Sequence, residues 1–293
     1  MSEPFSRVAL IGLGLVNSSL ARVLRNKAPA TQIVGCARSQ ATIDKATELG
    51  FVDRVTLDPA DAVADCDLVV LGTPVGTFAP LAAQIGPHLA EGAILTDVGS
   101  VKKAVFAAVS PHVPPGVHLI PGHPVAGTEH SGPEAGFAEM FEGRWCILTP
   151  APDADPAAVE RVVALWRMAG MSVELMSADH HDAVLAITSH LPHLIAYNIV
   201  GTVTDLEEET REEVFKYAAA GFRDFTRIAA SDPVMWRDIF LTNREAVLEM
   251  LGRFSEDLSA LQRAIRRGDG AYLETLFTRT RAIRRGVIEA KQV

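Results

Sequence analysis

His123 is the residue in this chain best equipped to do chemistry. It lies in Gly122-His123-Pro124-Val125-Ala126-Gly127-Thr128-Glu129, just after an apolar run, residues 117–120, that reads as a buried strand. A strand that stops at Pro121-Gly122 and then presents an imidazole holds it at the end of a sheet. Ligands gather at the carboxyl ends of strands in open α/β sheets. An imidazole titrates near neutral pH and can serve as a general base there. Ser100, at the end of another strand pattern, is placed at the same sheet edge. It reads either as a helix N-cap or as a contact to the same ligand.

Three arginines, Arg223, Arg227 and Arg237, supply local positive charge in a chain whose net charge is −9. A guanidinium suits bidentate binding of a carboxylate. Surface pairing with Asp224 and Asp238 explains each of them equally well. His190 and His193 fall at i, i+3 within Thr188-Ser189-His190-Leu191-Pro192-His193, on one face of a helical pattern. No carboxylate or cysteine accompanies them at ligand spacing, so a substrate wall or helix packing is expected rather than a metal site.

A cofactor cradle precedes these residues. Val8-Ala9-Leu10-Ile11 runs into Gly12-Leu13-Gly14-Leu15-Val16 and then a helical pattern, the strand-turn-helix context that a dinucleotide fingerprint requires. Gly12 allows the tight turn, and Gly14 lets the backbone approach a pyrophosphate at a helix N-terminus. The third position is Asn17 rather than a small residue, which predicts looser packing of helix on strand or an altered phosphate contact. The second strand, Gln32-Ile33-Val34-Gly35-Cys36, ends without an acid to take a ribose 2′-hydroxyl. Arg38 and Ser39 stand there instead, which favours NADP over NAD. A solvated Arg38 and a capping Ser39 are the plainer alternative. Thr73-Pro74 ends the next strand at the same cofactor edge.

Alternation of short apolar strands with helices continues to Val173-Glu174-Leu175-Met176, after which strand patterns stop. The expected fold is a Rossmann-like, doubly wound, mostly parallel sheet with a mixed edge, followed by an all-α dimerisation domain. The boundary falls between a dinucleotide domain, residues 1–178, and a helical substrate and dimerisation domain, residues 179–293. Ser177 or Asp179 caps a long helix that Pro192 should kink, or in which it should free carbonyls locally. Val247, Leu251, Phe254, Leu258, Leu261 and Ile265 recur at alternating steps, a narrow seam for another helix and, by this reading, for a second copy of the chain. Residues 279–291 form a basic amphipathic tail.

The charge balance argues against nucleic acid or an anionic membrane as partner and leaves a small anionic substrate. The three cysteines show no metal or redox spacing and lie in apolar surroundings, which suggests reduced thiols in a cytoplasm. Met1-Ser2-Glu3-Pro4 lacks a basic leader, and the apolar run over residues 8–16 is too short to cross a bilayer.

These landmarks, together with Asp97-Val98-Gly99-Ser100-Val101-Lys102 and the stretch 221–236, resemble the prephenate/arogenate (cyclohexadienyl) dehydrogenases of tyrosine biosynthesis. The resemblance implies an oxidative decarboxylation in which hydride leaves the hydroxyl-bearing ring carbon for a nicotinamide. It implies that His123 accepts the hydroxyl proton, with a pKa near the working pH, and that Ser100 holds that hydroxyl. Arg227 resembles the partner of a substrate carboxylate. His193, Glu129 and Trp236 resemble pocket residues, with Glu129 either a gate or the group that orients Arg227. Two rivals are a β-hydroxyacid dehydrogenase and a dinucleotide sensor without chemistry. The first would carry a catalytic Lys entering the second domain, yet no Lys occurs between Lys103 and Lys216.

Overall fold

The computed structural model describes residues 5–205, 213, 216, 217 and 219–289. Met1-Ser2-Glu3-Pro4 and residues 290–291 of the basic tail lie outside the described residues. The first strand, β1 (Arg7–Ile11), is sandwiched between two layers. Val8 and Leu10 join one core cluster and Ala9 and Ile11 the other, which is why its sequence is a continuous apolar run. It pairs in parallel with β2 (Gln32–Cys36), and β3 (Arg54–Thr56) lies beyond that. On its other side come β4 (Leu68–Leu71), β5 (Ile94–Asp97) and β6 (His118–Leu119), giving the all-parallel order β3-β2-β1-β4-β5-β6.

Helices cover both faces. α1 (Leu15–Lys27) and α2 (Gln40–Leu49) send Leu20, Leu24 and Ala46 into the first cluster. α3 (Pro59–Val63), α4 (Phe78–Ile85) and α5 (Lys103–Val109) send Val63, Phe78 and Val105 into the second. α6 (Pro156–Met168) returns to the first with Val162 and Trp166. The sheet is therefore doubly wound and Rossmann-like. Its strand order reverses between β1 and β4, which opens a crevice at their carboxyl ends.

The expected mixed edge is a separate sheet. β7 (Gly122–Val125) runs antiparallel to β8 (Trp145–Leu148), which pairs in parallel with β9 (Ser172–Leu175). Pro121 makes the switch. The Ile120 N–H makes the last bond to β5, donating to the Leu95 carbonyl at 2.9 Å. Pro121 has no N–H to extend that ladder, and its carbonyl accepts from Thr149 instead. His123 thus stands inside a strand, not on a loop beyond a sheet.

The packing at Asn17 is tight, contrary to the looser fit its size suggested. The side chain is 1% exposed, and its Nδ2 donates to the carbonyls of Gly12 at 2.9 Å and of Ile11 and Val70 at 3.4 Å. A Cβ on Gly72 would meet that Nδ2 at 2.3 Å, so glycine there makes room for the amide. Asn17 therefore fastens α1 to the ends of β1 and β4 by hydrogen bonds where other sequences use close contact.

After β9, Ser177 caps α7 (Ala178–Leu185) by accepting from the His180 N–H. The helix widens to a π turn over Ala186–His190 and continues as α8 (Leu191–Thr204). The disturbance expected from Pro192 takes this form rather than a break. The combined helix is apolar enough for its length to suit a bilayer, but its His181, Asp182 and His190 are buried in protein hydrogen bonds. α9 (Ala220–Thr226) and α10 (Pro233–Thr242) follow, the latter capped by Asp232 with Pro233 at its first position.

The chain divides into two compact units, Met1–Ala246 and Val247–Val293. That division falls later than the 178/179 end of the strand pattern, because Asp182 and Trp236 tie α7 and α10 to groups of the sheet unit. Arg244–Arg267 forms α11 and Gly270–Glu289 forms α12. The seam expected from spacing is helical, and its Leu258 and Ile265 are exposed.

Replacing Asn17 by Ala should lower the urea unfolding free energy by roughly 1–3 kcal/mol, since buried carbonyls lose their donor. An unchanged midpoint and slope would show that these bonds do not fasten the helix.

Candidate active site

A buried ion pair fixes the floor of the site. Lys102 is 0% exposed, and its ammonium donates to the Asp97 carboxylate and the Gly122 carbonyl. Asp97 also accepts from the Gly99 N–H at 2.8 Å and the Gly122 N–H at 3.1 Å. Burial disfavours either charge, and each partner offsets that for the other. The end of β5, the turn carrying Ser100 and the start of β7 are thereby held together. Gly122 permits the closeness: a Cβ there would come 3.1 Å from Leu148 and 3.2 Å from the Asp97 carbonyl.

His123 is 7% exposed, and its Nδ1 lies 2.8 Å from Nε2 of His181. His181 Nδ1 lies 2.8 Å from Asp182 Oδ1. Asp182 in turn accepts from the backbone N–H groups of Lys102 at 2.8 Å and Lys103 at 3.0 Å. Burial first, then the neighbouring His181, Lys102 and His190, push the His123 pKa well below the usual histidine range. The imidazole is therefore neutral at working pH, with a lower pKa than the near-neutral one expected from sequence.

His190, fully buried, meets the Asn243 amide through Nδ1 at 3.1 Å, and that amide also donates to the Asp182 carbonyl at 2.9 Å. Burial lowers the His190 pKa to about 4, against the opposing pull of Asp182 and of the Ser100 carbonyl facing the ring. Ser100 is half-buried and caps nothing, since α5 begins at Lys103 with Lys102 before it. His193 stacks on Trp236 at 3.7 Å between ring centroids, and His190 meets the same indole edge-on at 6.1 Å. His193 donates through Nδ1 to the Ser189 carbonyl at 2.9 Å, and burial lowers its pKa. Among the described residues the buried Trp236 indole N–H has no partner.

Arg227 reaches Glu129 at 2.7 Å, and it lies close enough to His193 to disfavour a charge there. The pair is open, with side chains 58% and 26% exposed. The backbone N–H of Glu129 holds its carboxyl below the usual range, against an opposing effect of burial and with help from the Arg227 guanidinium. Arg237, by contrast, pairs with Asp238 beside it at 2.7 Å. The structure thus draws His123, His190, Ser100, His193, Trp236, Arg227 and Glu129 into one chain of neighbours.

The glycine turn adjoins them. A Cβ on Gly127 would lie 3.9 Å from Leu15, which places the loop after β7 against the start of α1. Gly12 has φ +90°, and a Cβ there would strike Thr73 at 2.7 Å. Gly14 has open space where a Cβ would stand, and no side chain caps α1. That open, uncapped turn fits a pyrophosphate. Leu13 is buried over Gly35, while Leu15 and Val16 are half-buried beside the turn. Thr73 bonds Thr77 at 2.7 Å, and Pro74 is exposed next to it. Arg38 is exposed beyond β2, and Ser39 caps α2 by accepting from Thr42. Among the described residues no hydrogen bond or ion pair joins these two to the histidine cluster, as two ends of a long ligand require.

A family model described as prephenate dehydrogenase, nucleotide-binding domain, matches residues 20–175, and one described as prephenate dehydrogenase, dimerization domain, matches 177–279. The chain belongs to the prephenate dehydrogenase family. It is 42% identical to the cyclohexadienyl dehydrogenase of Zymomonas mobilis over 96% of this chain and 95% of that protein. Identity to the prephenate dehydrogenase of Bacillus subtilis is 31%, over 98% of this chain and 77% of that one. The crystal structure of prephenate dehydrogenase from Aquifex aeolicus with hydroxyphenyl propionate and NAD+ matches with TM-score 0.89 and 35% identity, covering 96% and 98% of the two chains. The Synechocystis arogenate dehydrogenase matches with TM-score 0.79 and 27% identity, covering 96% and 99%.

Family membership makes the protein an NAD(P)-dependent oxidoreductase, and the family reaction is the oxidative decarboxylation of prephenate or arogenate. The rival readings as a β-hydroxyacid dehydrogenase or a sensor are not favoured. Sequence reading quoted Asp97 and Lys102 within a landmark without giving them a role, and passed over His181, Asp182 and Asn243. A signal was present in α7: His181 and Asp182 occupy helical positions that align with buried Leu185, where an apolar stripe would run. Lys102→Met should destabilise the protein by about 3–5 kcal/mol by stranding a buried carboxylate. A loss below about 1 kcal/mol in urea unfolding would mean that solvent screens the pair.

Proposed function

We propose that the protein oxidatively decarboxylates prephenate, arogenate or both, using His123 as the proton acceptor. The supporting observation is a buried, neutral imidazole enclosed with His190 and Ser100, next to the aromatic wall of Trp236 and His193 and beside an open glycine turn. When bound, the nicotinamide supplies the acceptor for the hydrogen and electron pair of the ring carbinol carbon. His123 Nε2 takes the hydroxyl proton as the carbonyl forms. Ser100, at the same edge, holds that hydroxyl in place. Loss of the ring carboxylate as CO₂ sends its electron pair through the ring to the new carbonyl oxygen, which becomes a phenolate and takes the proton back from His123, so no residue has to act as an electron sink.

Arg227 pairs with a substrate carboxylate. Its contact to Glu129 is exposed and of the weak kind that a ligand can exchange. Glu129 orients Arg227 before binding and yields to the substrate as a gate. His193 and Trp236 form the pocket wall. Gly12, Leu13, Gly14, Leu15 and Val16 hold the pyrophosphate, with Thr73 and Pro74 along the nicotinamide side.

Arg38 and Ser39 take the adenosine end, with NADP preferred because no carboxylate follows β2. The functional division at 178/179 is supported by the family models, which meet between residues 175 and 177. A homodimer is supported by the dimerization-domain match and by the exposed Leu258 and Ile265 of the seam. Buried, unpaired Cys36, Cys66 and Cys146 suit a cytoplasmic enzyme.

The test is turnover of prephenate and of arogenate, each with NAD and NADP, by wild type and His123→Asn. Wild type should reduce cofactor with at least one substrate, and the variant should lose roughly 10²–10⁴-fold in kcat while still binding dinucleotide. A silent wild type that binds dinucleotide, or an unimpaired variant, overturns the assignment. Arg38→Ala should raise KM for NADP and leave KM for NAD unchanged. Equal effects on both would remove Arg38 from a 2′-phosphate contact.

A further inference from the structure

We propose that His181 and Asp182 are positioning residues that lock His123 in the one tautomer able to accept the substrate proton and then share the charge it gains. This rests on the reading of His123 as the base. The constraint begins at Asp182. Its Oδ1 faces the Lys102 N–H at 2.8 Å and its Oδ2 the Lys103 N–H at 3.0 Å, both donors. Burial works against this carboxylate, but His181 and the two backbone donors outweigh it and hold the carboxyl below its ordinary value. An ionised carboxylate has no proton to give.

The remaining contact of Oδ1, to His181 Nδ1 at 2.8 Å, must therefore be donated by the ring. His181 is fully buried, and burial lowers its pKa, so it is neutral. A neutral imidazole protonated at Nδ1 has a bare Nε2. That bare nitrogen lies 2.8 Å from His123 Nδ1, so His123 must carry its hydrogen on Nδ1. Its Nε2 is then the free acceptor. The opposite tautomer would set two lone pairs face to face at 2.8 Å and spend the catalytic nitrogen on a proton it already holds.

The same line serves once the proton has moved. The added proton enters at Nε2 as the substrate O–H bond breaks. Positive charge on His123 then extends across the Nδ1–H contact toward His181, whose far side meets the Asp182 carboxylate. The other groups around the pair do not offer this. Lys102 and His190 oppose a positive charge on His123, as a charged His181 would, so His181 serves only as a neutral ring bound to Asp182. Asp97 is occupied by Lys102, and burial raises the Cys146 pKa so that it stays a thiol. Among the described residues, Asp182 is thus the anion in line with the base. It is held by backbone donors from the same loop that carries Lys102 and Ser100, so the orientation of the base follows the frame of the site.

The experiment compares full-length wild type, His181→Leu, His181→Gln and His123→Asn by kcat, KM, pH profile and imidazole ¹⁵N NMR. The His123 signals are assigned by their loss in His123→Asn. The wild-type spectrum should show His123 protonated at Nδ1 and bare at Nε2. Leu removes the acceptor and should cut kcat by roughly 10²-fold with KM and dinucleotide affinity unchanged, and should move the acidic limb of kcat/KM to lower pH. Gln offers an amide oxygen to His123 and an amide N–H to Asp182, so it should restore most of kcat.

A wild-type His123 protonated at Nε2 overturns the proposal by itself, whichever variants fold. Equal losses in Leu and Gln with an unmoved pH limb overturn it as well, leaving a structural role only. Retained turnover in His123→Asn overturns instead the reading of His123 as base. Collapse in His123→Asn with full kcat in His181→Leu rejects the relay alone.

Discussion

The contact between the Lys102 ammonium and the Asp97 carboxylate governs the arrangement of this site. Both groups are out of water, so neither charge is tolerable without the other. The carboxylate also accepts from Gly99 and Gly122, and the ammonium also grips the Gly122 carbonyl. Three pieces of backbone thus converge on one pair: the end of β5, the Ser100 turn and the first residue of β7. A buried ion pair is weak evidence for stability, because an apolar replacement of the same shape often does as well. What it supplies here is direction. A hydrophobic cluster would tolerate a sliding β7, whereas these hydrogen bonds fix its register and with it the position of His123.

Position and protonation have the same origin. The features that place His123 also remove it from water, and a dry imidazole with a lysine and a histidine nearby resists protonation. A base so disfavoured is neutral at working pH but has little appetite for a proton. The reaction must therefore supply compensation at the moment of transfer. Asp182, reached through His181, is in line to do so, and it is too far from His123 to bind its proton in the resting state. Separating the base from its counter-charge by one imidazole reconciles a neutral ground state with a stabilised product of proton transfer.

The parts of this molecule legible in sequence were those that follow from local pattern. Val8-Ala9-Leu10-Ile11 with Gly12 and Gly14 announced a strand, turn and helix because each step depends on neighbours in the chain. Asp232-Pro233 announced α10 for the same reason. His123 and Arg227 stood out by residue type. What stayed hidden depended on residues far apart. Pro121 ends the ladder to β5, and its carbonyl is taken up by Thr149, 28 positions along the chain, just after β8 of the second sheet. Asn17 looked like a departure from close packing because Gly72, its counterpart, lies 55 positions along the chain. His181 was one of nine histidines and became distinctive only when folding put it between His123 and Asp182.

The site joins two kinds of electrostatics that could not exchange roles. Around His123 the partners are buried and their bonds are numerous, so geometry is held while charge is rationed. At Arg227 and Glu129 the pair is open to solvent, where an ion pair contributes little. A strong, dry pair at that position would resist an incoming carboxylate, since breaking it would strand a buried charge. A weak one can be replaced by the substrate with little loss. Conversely, a base held by so loose a contact would wander among tautomers and rotamers. The gradient from an exposed clamp to a buried base is therefore a requirement of binding an anion and deprotonating it in one site.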